Sequence, residues 1–376
     1  MRSALRPRAA MAAAALSSLI AQHEKFGAPT DVIELLKQEA SALPAVTGNQ
    51  VAVSFLAAPI NPADINMVEG VYGIKNPMPN TPGNEGVARV DSVGSGAQSL
   101  RAGDWVIPLY AGFGTWRQRA VIGEDELIRV PSDVPVEYAA TMAVNPSTAY
   151  RMLRDFGNLK PGDVVMQNGA NSMVGLAVIQ MARQMGIKTV NIVRSDRPEV
   201  DQTLRLLTNL GGDVNVTDKY VNTHAFNEVL KDLGPCRLAF NCVGGELVTE
   251  MARCMDSHGT IVTYGGMSKR PINVPLDLLA SKNMTLAGFW VTEWYKTHAR
   301  IDRAVMIADI ANMIRQKNLT LFFETHDFDD FHWALKRSLE PFAMRKVVLR
   351  MDYPDRLVEH DARPASDFEV FDTTTV

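Results

Sequence analysis

The chain has 376 residues, a formal net charge of -4 at pH 7 and 21% charged residues. That length exceeds what one hydrophobic core usually supports, so about two domains are expected, and the mild negative charge excludes the polybasic field that nucleic-acid binding needs. The three cysteines, Cys236, Cys242 and Cys254, fall at spacings that fit neither a zinc site nor a secreted disulfide framework, and no apolar run approaches the roughly 18 residues of a membrane span.

The first residues, "MRSALRPRAAMAAAALSSLIAQHEK", carry Arg2, Arg6 and Arg8, two serines near the end and no acid before Glu24. This is the composition of a mitochondrial presequence, expected over 1–22. An alanine-rich frayed terminus, or a start at Met11 that drops all three arginines, is the alternative. From about residue 47, "QVAVSFLAAPI", "GVARVDSVGSG" and "GDWVIPLY" are short apolar runs punctuated by Gly, Pro and Asn, which predicts a β-rich domain.

Between about 156 and 300 the rhythm changes to apolar strands alternating with helix-length segments, the pattern of a parallel sheet covered by helices. "DVVMQNGA" leads into a helix with Val174, Val178, Met181 and Met185 on one stripe and Gly186 at its end. "KTVNIVR", "RLAFNCVGG", "GTIVTYGGM" and "MTLAGFW" follow, giving a doubly wound α/β dinucleotide domain. A later helix is signalled by Met306, Ile307, Ile310, Met313 and Ile314, and another by Asp329 and Asp330 leading into Phe331, Leu335 and Leu339. The strand "RKVVLRM" returns the chain to the first domain or closes its neighbour. The polar, acidic residues 352–376 read as a loosely held tail.

A dinucleotide site needs a tight turn after the first strand and a helix N-terminus whose amides face the pyrophosphate. In "NGANSMVG", Gly169 and Gly175 keep the outer positions, while Ser172 and Met173 occupy the part of the turn where the middle glycine usually falls. Alone, this is a weak motif, and an ordinary strand-to-helix turn is the plainer reading. After the second strand, "NIVRSDR" places Arg194 and Arg197 where an NAD site usually has an acid, which favours the 2'-phosphate of NADP. Asp196 between them leaves NAD open, and two solvated loop arginines are the plain reading.

Together "APINPADINMVEGVYG", "PGNEGVARV", "GDWVIP", "GTWR", "VNPSTAYRML", "QNGANSMVG", "FNCVGG", "VTYGGMSK" and "GFW" resemble the mitochondrial trans-2-enoyl-CoA reductases, enoyl thioester reductases of the medium-chain dehydrogenase/reductase superfamily, over roughly residues 20 to 351. The resemblance implies a GroES-like β-rich catalytic domain in two segments, 23–147 and 300–351, around a Rossmann NADPH-binding domain at 148–299. It implies a homodimer in the mitochondrial matrix that reduces enoyl-CoA or enoyl-acyl carrier protein. Position by position, it makes Tyr72 the catalytic tyrosine, Asn145 a cofactor contact at the domain junction, and Asn171, Ser172, Met173 and Val174 the pyrophosphate turn. Arg194 and Arg197 take the 2'-phosphate site, and Tyr264, Gly265, Gly266 and Met267 the loop near the nicotinamide. Phe289, Trp290, Val291 and Thr292 line the acyl and nicotinamide pocket, with Trp290 against substrate, and Lys346 is a late cofactor contact. The "VRSDR" stretch is a residue longer than the usual form, so which arginine faces the phosphate stays open. No HxxxH or CxxC pair exists and all three cysteines lie in the nucleotide region, so no metal ligand set is expected.

Hydride delivery to the β-carbon of an enoyl thioester leaves enolate charge on the thioester oxygen. A phenol with an ordinary pKa near 10 stays protonated at neutral pH, so Tyr72 can meet that charge and give the α-carbon its proton. The alternatives are a surface loop tyrosine that merely packs on its neighbours, a zinc-independent quinone or enone reductase of the same superfamily, and a catalytically silent NADPH-binding protein.

Overall fold

The computed structural model describes residues 17–39, 42–221, 223–342 and 344–351. Six strands, Val164–Asn168, Lys188–Val193, Val214–Thr217, Cys236–Asn241, Thr260–Thr263 and Thr285–Gly288, pair in parallel in the spatial order third, second, first, fourth, fifth, sixth. Every residue of Val164–Asn168 is buried, because helices cover both faces of a parallel sheet, and the strand therefore reads as a continuous run rather than an alternation. The helix Met173–Gln184 buries Val174, Val178 and Met181 and is followed by Gly186 at φ +68°, as its stripe predicts.

The second sheet holds seven strands in the order Phe323–Asp327, Lys346–Arg350, Gln50–Pro59, Val87–Val93, Trp105–Pro108 and Leu127–Val130, with Arg119–Gly123 also on Gln50–Pro59. Of the two destinations open to "RKVVLRM", the strand takes the first domain, pairing antiparallel to Gln50–Pro59 with Val348 opposite Pro59. Trp116, Phe55, Phe328 and Phe331 fill this sheet's core. The helix Arg300–Arg315 buries Met306, Ile307, Ile310 and Ile314 in a cluster shared with Met152 and Leu153 of the helix Asn145–Asp155, so it joins the two halves. In Phe331–Leu339, Phe331 and Leu335 are buried but Leu339 is exposed, one turn short of the expected stripe.

Residues 18–22, at the end of the expected leader, are part of the fold. Ser18–Gln22 is a strand paired antiparallel with Glu34–Gln38, its Ala21 is fully buried, and the Ala21 amide donates to Trp116 O at 2.9 Å. Leader composition tracks charge and small residues and is blind to this pairing. Residues 1–16 and the expected tail 352–376 lie outside the described residues. Among the described residues no helix is long and apolar enough to cross a membrane.

Candidate active site

The helix Pro62–Val68 ends at a loop that turns at Gly70, φ +76°, where a Cβ would stand 2.8 Å from Phe26 Cγ. Only glycine fits there on both counts. Gly73 has no such backbone requirement; its added Cβ would meet the Trp290 ring at 3.4 Å. Between them, the Tyr72 hydroxyl accepts a hydrogen bond of 2.8 Å from Trp290 Nε1, and the rings meet edge-on, with centroids 5.6 Å apart at 86°. An indole N–H only donates, so the phenol oxygen spends a lone pair on it and its own hydrogen stays available. Burial raises the Tyr72 pKa above 10; the Trp290 bond opposes this, the Asp64 charge adds to it, and Thr292 opposes it. The phenol is an acid held in reserve through neutral pH.

Beneath this loop lies a buried polar network. Asn61 Nδ2 donates to Glu85 Oε1 at 2.8 Å, and Asn61 Oδ1 accepts from Lys346 Nζ at 2.8 Å and Asn145 Nδ2 at 3.2 Å. Glu85 Oε2 accepts from the Val144 amide at 2.8 Å, at the start of the helix that begins with Asn145. Asp64 accepts from the Asn61 amide and from both the amide and side chain of Asn84. Burial opposes ionisation here: it pushes Asp64 up to about 6 and Glu85 up to about 8 and lowers Lys346, while Lys346 attracts both carboxyls and works against their rise. Asn145 and Lys346, 201 positions apart in sequence, thus share one acceptor, and Asn61, Asp64, Asn84 and Glu85 are functional neighbours that the sequence reading did not single out.

The turn expected to hold the pyrophosphate has glycines where a side chain would collide. Gly169 has φ +60° and its Cβ would lie 2.5 Å from Cys242 Sγ; a Cβ on Gly175 would lie 2.4 Å from Ala170 O. Ser172 caps the helix, its Oγ accepting from the Gly175 amide at 3.1 Å. Met173 and Val174 are buried, so they can offer a pyrophosphate their backbone amides only, whereas Asn171 is half-buried at the turn. Asn168 and Asn241 close the two strands flanking the switch in strand order: Asn168 Nδ2 donates to Asn241 Oδ1 at 2.8 Å, and Asn241 Oδ1 also accepts from the Gly244 amide at 2.9 Å. That crevice is where a dinucleotide lies in this topology.

The arginine loop meets the segment before the last strand. Arg194 sits 4.6 Å over the Phe342 ring and 3.8 Å from Asp196, and Arg197 donates to Phe342 O at 3.4 Å. Arg197 is 8% exposed and its Nε has no partner, so burial and then Arg194 lower its pKa, as for a guanidinium that awaits an anion. Beside it is a recess of about 260 Å³ lined also by Glu199, Arg337 and Arg345. Arg345 is a candidate the sequence reading missed. Arg337 is already engaged by Glu324 at 2.8 Å.

Across the crevice, the Tyr264 hydroxyl is buried beside Cys242 and Ser172, and burial, followed by Cys242, raises its pKa well above 10. The Met267 amide donates to Cys242 O at 2.9 Å while its side chain is 63% exposed; Gly266 has open space where a Cβ would stand, and Gly265 borders Cys242. Phe289 packs edge-on against Phe156, and Trp290 is the cap of the helix Val291–Thr297, with Val291 and Thr292 buried. The residues expected to hold NADPH therefore fit it: a glycine cradle, a helix N-terminus and a buried guanidinium whose Nε has no partner. Among the described residues no group of three or more His, Cys, Asp or Glu could hold a metal ion.

Residues 47–132 match the alcohol dehydrogenase GroES-like domain family and residues 174–306 the family described as zinc-binding dehydrogenase. The chain is 47% identical over 342 residues to the mitochondrial enoyl-[acyl-carrier-protein] reductase of Xenopus tropicalis, covering 89% of this chain and 97% of the relative. Among solved structures it is similar to the mitochondrial 2-enoyl thioester reductase Etr1p/Etr2p heterodimer of Candida tropicalis, with a TM-score of 0.82, 32% identity and coverage of 89% and 100%. The Etr1p/NADP/crotonyl-CoA complex matches with a TM-score of 0.82 and 31% identity over the same shares.

Proposed function

The chain belongs to the mitochondrial enoyl-[acyl-carrier-protein] reductase family, and on that premise we propose that it reduces trans-2-enoyl thioesters in mitochondrial fatty acid synthesis with NADPH and with Tyr72 as the acid. The observation that carries the residue assignment is the Tyr72 hydroxyl held 2.8 Å from Trp290 Nε1 in a glycine-turned loop. Bound NADPH supplies the hydride that the β-carbon receives. Trp290 fixes the phenol oxygen, so the phenol hydrogen points to the thioester oxygen as enolate charge builds, and the same proton, or one relayed through it, completes the α-carbon. The C=C bond is reduced by one hydride and one proton. Asn145 and Lys346, tied through Asn61, set the junction at which the nicotinamide end rests. The glycine cradle and Ser172–Val174 amides hold the pyrophosphate, Arg194 and Arg197 the 2'-phosphate, and Tyr264–Met267 and Phe289–Thr292 enclose the reacting end.

The proposed division is a catalytic domain of 23–147 with 300–351 around a cofactor domain of 148–299; its support is the two separate sheets, one with strands between Gln50 and Val130 plus Phe323–Asp327 and Lys346–Arg350, the other with strands between Val164 and Gly288. The mitochondrial compartment is the matrix, where the arginine-rich, acid-free first residues direct the chain. The assembly is a homodimer. Its support is the strand Thr285–Gly288, which ends the six-stranded sheet with Thr285, Leu286 and Gly288 exposed, beside the helix Leu276–Ser281, which buries none of its residues and leaves Leu276 81% exposed. Steady-state oxidation of NADPH by a trans-2-enoyl-CoA tests the activity, with a quinone panel run beside it. Turnover of the thioester with little quinone reduction is expected; quinone reduction without thioester turnover would promote the sibling reading. Light scattering tests the dimer.

A further inference from the structure

The loop that carries Tyr72 has no regular structure of its own, yet both its ends are fastened to one short segment near the start of the chain. At its entry, the Gly27 amide donates to Val68 O at 3.1 Å, and the Phe26 ring covers Gly70 so closely that no Cβ fits between them. At its exit, His23 and Asn80 exchange two backbone hydrogen bonds of 2.9 Å, one in each direction. Their side chains meet as well. His23 is 2% exposed; its Nδ1 lies 2.9 Å from Lys25 O, which can only accept, so Nδ1 donates and Nε2 accepts from Asn80 Nδ2 at 3.1 Å. Asn80 Oδ1 in turn accepts from Asn76 Nδ2, which also donates to Gly112 O at 2.7 Å. Lys75, within the loop, lies 5.9 Å above the Phe26 ring. A further tether, Glu69 to the exposed Lys269 at 3.6 Å, lies at the surface and contributes little.

We propose that His23 and Phe26 are positioning residues for the reduction: the segment that follows the first strand clamps the 69–80 loop at both ends and so fixes Tyr72 against Trp290. The inference rests on Tyr72 being the acid. A phenol on an unclamped loop would sample positions outside hydrogen-bond reach of the substrate oxygen, and displacements of that kind lower turnover without altering the cofactor site.

Phe26 is 42% exposed, so truncating it leaves the core filled and the protein folded. Phe26→Ala is therefore compared with wild type for kcat on crotonyl-CoA, for NADPH binding and for amide hydrogen exchange over 69–80. The same change is also made in a Tyr72→Phe background. The expected result is faster exchange in the loop, unchanged NADPH binding, a kcat loss of about tenfold, recovery in Phe26→Tyr, and less than about twofold further loss in the Tyr72→Phe background. Equal losses in both backgrounds would show a general structural effect and overturn the clamp, as would faster exchange with unaltered turnover. A fully active Tyr72→Phe would instead remove the acid reading itself, whatever the exchange data show of the loop.

Discussion

Replacing Trp290 by phenylalanine removes one donor and keeps an aromatic ring beside Tyr72. The 2.8 Å bond from Nε1 to the phenol is a neutral hydrogen bond, whose net contribution is about 1 kcal/mol, so the oriented phenol should be less populated by about fivefold. Trp290→Leu also loses the edge-on ring contact at 5.6 Å, which contributes about 1 kcal/mol more and brings the expected loss in kcat to about thirtyfold. The indole bond is one of the interactions holding the Tyr72 pKa down against burial. Its removal raises that pKa further; because the protonated phenol is the active form, activity is lost only as pH rises through the folded pKa, so the alkaline limb should move to higher pH. The assay is kcat against pH for wild type, Trp290→Phe and Trp290→Leu, with NADPH affinity as the control for the cofactor site. Wild-type kcat in Trp290→Phe, in a protein whose Tyr72→Phe variant is impaired, would refute the claim that the indole orients the acid.

Gly175→Ala places a Cβ 2.4 Å from Ala170 O, backbone against backbone, so the phosphate turn must open; NADPH should bind at least about tenfold more weakly by titration, and unaltered binding would contradict the cradle. Arg197→Gln should weaken NADPH by about tenfold and leave NADH unchanged, with Arg345→Gln acting in the same direction if the recess it lines holds the 2'-phosphate; equal losses for both cofactors would argue for a structural arginine. Arg337 holds the Glu324 pKa below its ordinary value through hydrogen bonds of 2.8 and 3.1 Å. A depressed carboxyl stabilises the fold above its unfolded pKa and loses that contribution as pH falls through the folded value, so Glu324→Gln should lower Tm at neutral pH, with the deficit shrinking in acid. A deficit constant with pH would contradict the pairing.

The parallel sheet was legible because strands buried on both faces carry consecutive apolar residues rather than an alternation, as in "VVM" and "LAF", and the helix after Gly169 showed its stripe and its terminating Gly186. The strand Ser18–Gln22 was not, because its partner Glu34–Gln38 is as short and polar as a loop, and arginines upstream outweighed it. The polar network was invisible for a different reason. Asn61, Glu85, Asn145 and Lys346 converge from four places in the chain, the bond from Lys346 to Asn61 spanning 285 positions, and no local pattern records such a meeting. Lys346 and Asn145 were named only through resemblance. Asn168 and Asn241 carried a signal that could have been used: an amide closing an otherwise apolar strand is costly unless it is bonded there. Arg345, next to a lysine in a strand opening, had none.

The most direct measurement is NADPH oxidation with crotonyl-CoA by wild type and Tyr72→Phe, with cofactor binding measured on the same preparations. Thioester-dependent turnover by the wild type is expected, with a fall in kcat of at least about tenfold in a folded, NADPH-binding Tyr72→Phe. Full activity in that variant would contradict the acid role of Tyr72 and leave water as the proton source.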